Sequence, residues 1–157
     1  MIITNDLIKD EISICNLNRD RNAILRLEVD RFDDPMNGTL LNYLVNKYGV
    51  ELFFVVDLDG NGNLDAYLFA GMESDYTLQI ISVAIHKKYE GLGWGNKLMQ
   101  ILFSKGREAK FSKIELHVEK TNDRAVSLYT KFGFKEVGTA PNYYGSKRDA
   151  FVMSADI

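Results

Sequence analysis

Cysteine is nearly missing from this sequence. Cys15 is the single one in 157 residues, so an intrachain disulfide is excluded and a cysteine-built metal cluster with it. Two prolines leave no proline-rich linker or tail. No run approaches the ~20 apolar residues of a membrane span. The opening "MIITNDLIKDEISI" has neither the basic start nor the continuous apolar core of a signal peptide, so a cytoplasmic protein is expected. Charge of one sign is also lacking. A net charge of -3 and a pI near 5.4 give no general reason for nucleic-acid or anionic-membrane binding.

What remains is ordinary globular material: 46% hydrophobic and 26% charged residues, without repeats, in a length that fits one domain over 1–157. Residues 11–17 suit a short strand. "RDRNAILRLEVDRF" places Ile24, Leu25 and Leu27 or Val29 on a helical face, and "TLLNYLVNKY" reads as a second helix. "VELFFVVDL" and "NLDAYLFAGM" are strand-like runs around the polar "DGNG", a hairpin signal. In "LQIISVAIH" both alternating sets are largely apolar, which suits a strand covered on two faces. Helical spacing resumes with Leu98, Ile101 and Leu102 and should fade between Gly106 and Lys110. "KIELHVE" returns to period two. In "TNDRAVSLYTKFGF", Asn122 or Thr121 caps a helix, Ala125, Leu128, Tyr129 and Phe132 form its apolar stripe, and Gly133 ends it. Strands are expected at "FKEVG" and "DAFVMSADI", completing a mixed α/β sheet domain.

The stretch "VAIHKKYEGLGWGNKLM" runs from strand through Gly91, Gly93 and Gly95 into helix. Such a junction binds phosphates, because the first-turn N–H groups lack intrahelical partners and the helix dipole favours an anion. Three ligands compete. A nucleoside-triphosphate loop needs Gly-Lys-Ser/Thr, and Gly95, Asn96 and Lys97 do not supply it. A dinucleotide fingerprint wants glycine where Asn96 stands. Coenzyme A pyrophosphate is the third, and a glycine turn without a ligand is the plain alternative.

The residues further on carry more weight. Asn122, Ala125, Leu128, Tyr129, Gly133 and Phe134 fit Asn-x-x-Ala-x-x-Leu-Tyr-x-x-x-Gly-Phe in register. With "YEGLGWGNKL" and "PNYYGSKRDAFVM", the sequence resembles the GNAT superfamily of acetyl-coenzyme A-dependent N-acetyltransferases, most of all over 50–157. The look is that of N-terminal (Nα) acetyltransferases, including the ribosomal-protein alanine type. The resemblance implies a GNAT fold: a mixed, mostly antiparallel sheet of six to seven strands, a splayed central strand and about four helices.

It also implies a site. Gly91, Leu92, Gly93, Trp94, Gly95 and Asn96 would cradle the pyrophosphate of acetyl-CoA. Val83, Ala84 and Ile85 would bind the pantetheine arm by their backbone, with an N–H near Val83 as oxyanion donor. Asn122 would also touch the coenzyme A arm, and Tyr129 would be the general acid beside it. His117 takes the base position, since a "Leu-His-Val" with His as base occurs in Nα-acetyltransferases. A histidine, with a reference pKa of ~6.5, suits a base at neutral pH. Tyr143 and Tyr144 would wall the acceptor channel. Each has a plainer reading: a packed core tyrosine for Tyr129, an exposed strand histidine for His117, an N-cap for Asn122 and an aromatic patch under a loop for Tyr143 and Tyr144. Glu90 departs from the family's Arg or Gln; it is expected to point to solvent, its charge offset by Lys87, Lys88 and Lys97.

Other candidates read as structure. "DLDGNGNLD" has Asp57, Asp59, Asn61 and Gly62 at calcium-loop positions, but Leu68 stands where Glu is needed and strands flank it. No metal site is expected. Nothing near Cys15 suggests a low thiol pKa, and His86 should be solvated. The preferred acceptor is a protein or peptide N-terminus, because an α-amine of pKa ~8 is neutralised more easily than a lysine of ~10.4. A polyamine or lysine side chain drawn by Glu28, Asp30, Asp33 and Asp34, or a non-catalytic coenzyme A-binding module, are the rivals. Neither nucleic acid nor membrane is an expected partner, and the protein is expected to be a monomer or homodimer.

Overall fold

The structure is a computed structural model and describes residues 11–157; most of the N-terminal stretch read above lies outside them. The elements follow the expected order. They are β1 (Ile12–Ile14), α1 (Leu17–Arg31), α2 (Gly38–Tyr48), β2 (Phe53–Val56), β3 (Ala66–Ser74), β4 (Thr77–Ile85), α3 (Trp94–Glu108), β5 (Lys113–Glu119), α4 (Asp123–Lys131), β6 (Lys135–Ala140) and β7 (Ala150–Asp156). The strands form one open seven-stranded sheet in the order β1-β2-β3-β4-β5-β7-β6. This is the α/β GNAT architecture, with four α-helices among the described residues.

Sheet chirality and connection length explain the mixture of directions. Two residues between β3 and β4 permit only an antiparallel hairpin, whereas the long crossover through α3 makes β4 and β5 parallel. The β4–β5 register runs from Thr77 opposite Lys113 to Ile80 opposite Leu116. β4 continues past it through Ile81–Ile85, so the central strand is paired to β5 only over its first part.

By its internal contacts the chain forms two compact units, one of residues 11–71 with Ile81–Leu102, the other of Met72–Ile80 with Phe103–Ile157. In the first, the apolar stripes of α1 and α2 (Ile24, Leu27, Leu41, Leu44) bury against Phe53, Val55, Tyr67 and Phe69. The rings of Phe53 and Phe69 stack at 4.4 Å and those of Tyr67 and Phe69 at 4.2 Å. Burial of each such side chain is worth about 1.5–3 kcal/mol. The helices begin where side chains can accept their orphan N–H groups: Asn16 caps α1 through Arg19 N–H and Asn37 caps α2 through Leu40 N–H. Leu27, not Val29, completes the α1 stripe; Val29 is exposed.

In the second unit the alternation of β5 buries Ile114, Leu116 and Val118. Phe103 of α3 meets Phe132 and Phe134 at 5.5 and 5.9 Å. Tyr129 of α4 is edge-on to Phe134 at 5.7 Å. The "DGNG" segment connects antiparallel β2 and β3, and Asp57 accepts from Gly62 N–H at 2.9 Å. Strands flank it, as a hairpin requires and a calcium loop does not.

Candidate active site

The glycine turn lies in the first unit. Gly91 and Gly93 have φ of 72° and 89°, a left-handed conformation that glycine adopts without strain. Gly95 is different: α3 has already begun at Trp94, so Gly95 and Asn96 belong to its first turn. A backbone bond from Lys97 N–H to Gly93 O opens the helix, leaving the N–H groups of Trp94, Gly95 and Asn96 ahead of it as the orphan donors. A Cβ at Gly93 would meet nothing within 4 Å, so the turn is open above its backbone. Exposed Leu92 and buried Trp94 flank that opening. Open backbone, orphan donors and helix dipole together suit a pyrophosphate.

Glu90 does not point freely to solvent. It forms an ion pair with Arg31 at the end of α1, both side chains being 25% exposed. The cation comes from a helix remote in sequence, which proximity along the chain could not reveal. Lys97 instead lies over the Trp94 ring at 4.1 Å and near Glu11 at 3.9 Å, and Lys88 over the Tyr89 ring. Val83, Ala84 and Ile85 occupy the end of β4, with Ala84 buried.

Glu28 is the residue that sequence reading misplaced. Grouped with Asp30, Asp33 and Asp34 as charges that could draw a cationic amine, it is instead buried at 3% exposure, while those three are exposed. Its oxygens accept from Met36 N–H at 2.9 Å and from the Tyr67 hydroxyl. Burial raises its pKa and the Met36 bond partly opposes that. The signal was present, since Ile24, Leu27 and Glu28 stand at i, i+3 and i+4 on one face.

The second unit carries the candidate acid and base. His117 projects from β5, opposite the buried Ile114, Leu116 and Val118, and its ring stacks on Tyr143 at 4.2 Å with planes 2° apart. Its Nδ1 is buried without a protein partner. The Tyr143 and Tyr144 rings meet edge-on at 5.0 Å. The Tyr144 hydroxyl donates to the His117 carbonyl at 2.9 Å. Arg148 fastens the same loop with two 2.8 Å bonds to Glu119, holding that carboxyl below the usual range.

Tyr129 is buried at 7% exposure. Burial, then the neighbouring Tyr144, pushes its hydroxyl up; burial also raises Tyr144, to about 12. Both phenols stay protonated at neutral pH and can donate. Asn122 caps α4, accepting from Ala125 N–H at 3.2 Å. The structure thus groups His117 with Tyr143 and Tyr144, and the turn residues with one another. Cys15 is buried, its thiol raised to about 11 by burial and by Asp20. His86 accepts from Lys88 N–H at 3.1 Å in a local turn. Among the described residues no helix is long and apolar enough to cross a membrane, and no three His, Cys, Asp or Glu side chains are placed to hold a metal.

The open mixed sheet with its helices and the glycine turn that opens α3 are those of an acyl-coenzyme A transferase. The profile of the Acetyltransferase (GNAT) family matches residues 19–134, and the chain belongs to that family. An N-alpha-acetyltransferase of Sulfurisphaera tokodaii is 31% identical over 117 residues, covering 67% of this chain and 69% of that one. Ard1 from Thermoplasma volcanium has the same fold, with a TM-score of 0.84 at 22% identity over 93% of this chain and 96% of the other. Arabidopsis thaliana Naa50, solved with the bisubstrate analogue CoA-Ac-MVNAL, gives a TM-score of 0.78 at 22% identity over 93% of this chain and 99% of the other.

Proposed function

We propose that this acetyl-CoA-dependent N-acetyltransferase transfers acetyl to the α-amine of a protein or peptide N-terminus. The observation that carries the reading is the packing of His117, Tyr143 and Tyr144. A histidine ring held by an aromatic pair gives an apolar wall beside a base, which suits the first side chains of a peptide better than a polycationic amine. The N-alpha-acetyltransferase relative supports the same acceptor class.

In this reading the α3 N-terminus and the Gly91–Asn96 backbone take the pyrophosphate. Val83, Ala84 and Ile85 hold the pantetheine arm by backbone bonds, and Asn122 adds a contact to that arm. His117, directly or through water, removes a proton from the acceptor ammonium. The neutral amine attacks the thioester carbonyl, and the Val83 N–H holds the oxyanion. Tyr129, protonated at working pH, donates to the departing thiolate. Residues 1–157 act as one acetyltransferase domain.

A thiol-release assay with N-terminal peptides, spermidine and an N-terminally blocked lysine peptide tests this. Turnover restricted to free N-termini supports it. Preference for either other amine, or coenzyme A binding without turnover, overturns it.

A further inference from the structure

Acyl transfer to an ammonium removes two protons from nitrogen: one to make it nucleophilic, one from the tetrahedral intermediate before the amide forms. His117 accounts for the first. A second buried group lies in the first unit, and the proposed mechanism makes no use of it.

Glu28 of α1, Tyr67 of β3 and Ser82 of β4 form a hydrogen-bonded chain. The Tyr67 hydroxyl donates to Glu28 Oε1, and Tyr67 Oη lies 2.9 Å from Ser82 Oγ. Tyr67 is 0% exposed and Glu28 3%, whereas Ser82 is only partly buried. The chain therefore opens outward at Ser82. That residue directly precedes Val83, whose N–H is the proposed oxyanion donor.

Proton positions along the chain follow from its fixed end. Met36 N–H donates to Glu28 Oε2 at 2.9 Å and can do nothing else. With Glu28 ionised, Tyr67 must donate to Oε1, and its oxygen must accept from the Ser82 hydroxyl. Ser82 Oγ then keeps lone pairs for a donor at the open end. If the carboxyl gains a proton, every bond in the chain reverses and the Met36 bond is untouched. The chain has two self-consistent states that differ by one proton.

We infer that Ser82, Tyr67 and Glu28 are a proton relay that takes the second proton from the acceptor nitrogen, resting on the acetyltransferase reading above. The N–H bond of the intermediate breaks, and nitrogen keeps the electron pair. Its proton passes to Ser82 Oγ, the Ser82 proton to Tyr67 Oη, and the Tyr67 proton to Glu28 Oε1. After the amide departs, the reverse shift returns one proton to solvent through Ser82. Burial makes the Glu28 carboxylate more basic than a surface one, which favours the transfer. Ser82 is the catalytic residue of the three; Tyr67 and Glu28 act through it. An anchor for the α1–α2 loop needs the Glu28–Met36 bond alone and places no demand on position 82.

The test compares Ser82→Val with Ser82→Thr, near-isosteres that differ in the hydroxyl, in the complete protein with acetyl-CoA and an accepted peptide. Ser82→Val should lower kcat at least tenfold, leave the acetyl-CoA dissociation constant within about twofold and reduce the solvent deuterium isotope effect. Ser82→Thr should restore most of the lost rate. Tyr67→Phe should reproduce the Val result; should it fail to fold, the position-82 pair decides by itself. Ser82→Val retaining kcat within threefold, or Ser82→Thr as impaired as Ser82→Val, overturns the relay while the acetyltransferase reading stands. A wild-type protein without turnover overturns both.

Discussion

The His117 imidazole lies flat on the Tyr143 ring, 4.2 Å between centroids, with its Nδ1 buried and lacking a protein partner. In the proposed role of base, a ring held in this way is oriented before the acceptor arrives, which removes part of the entropic cost of proton transfer. Replacing His117 by Ala should lower kcat at least tenfold, about 1.4 kcal/mol of transition-state stabilisation, and flatten the rise of rate with pH. Initial-rate pH profiles of the two enzymes check this.

Tyr143→Ala removes the stacked ring and leaves the imidazole. The acceptor KM should rise at least fivefold and the acetyl-CoA KM should stay within twofold. Measuring both constants at a saturating level of the other substrate separates an acceptor wall from a general packing defect.

Tyr129→Phe keeps the packing against Phe134 and deletes only the hydroxyl that we propose as the proton donor. Maximal rate should fall at least tenfold with acetyl-CoA affinity unchanged. The loss should be smallest for acyl donors whose leaving thiol is most acidic, because those thiolates need the acid least.

Arg31 and Glu90 make a pair beside the turn that the proposal gives to pyrophosphate. Glu90→Gln lowers negative charge there and loosens Arg31, so acetyl-CoA should bind as well or better. Arg31→Ala removes the Arg31 charge from beside Glu90 and the turn, and should weaken binding several-fold. Calorimetric titration of both variants with acetyl-CoA tests the sign; weaker binding by Glu90→Gln contradicts it.

Arg148 depresses the Glu119 pKa first through its hydrogen bonds, then through its charge. A depressed carboxylate contributes stability above the unfolded value of ~4.3 and loses it as pH falls through the folded one. Arg148→Ala should therefore lower Tm at pH 7 and converge with the wild type only as pH falls below the unfolded value and through the lowered folded one. Partial exposure limits the loss to about 1 kcal/mol. Thermal melts across this range measure it.

The sequence exposed what depends on neighbours along the chain. The period-two run "KIELHVE" matches β5 residue for residue, and Asn122 caps α4 while Gly133 follows it. The glycine turn itself was legible for the same reason, because a strand, glycines and a helical pattern are all local. Gly95 was read into that turn because a helix start is not visible in glycine spacing. Glu90 and Glu28 were misjudged for a deeper reason. Their partners lie 59 and 39 positions away, at Arg31 and Tyr67, and composition gives a buried, paired carboxylate the same letter as a solvated one.

The central claim is that the acceptor is a free N-terminal α-amine. Incubating the protein with acetyl-CoA, a peptide that carries both a free N-terminus and an internal lysine, and its N-terminally blocked counterpart measures this directly when fragment mass spectra locate the acetyl group. Acetyl on the α-nitrogen alone, with no modification of the blocked peptide, is the predicted result; acetyl on the lysine of either peptide would contradict the account.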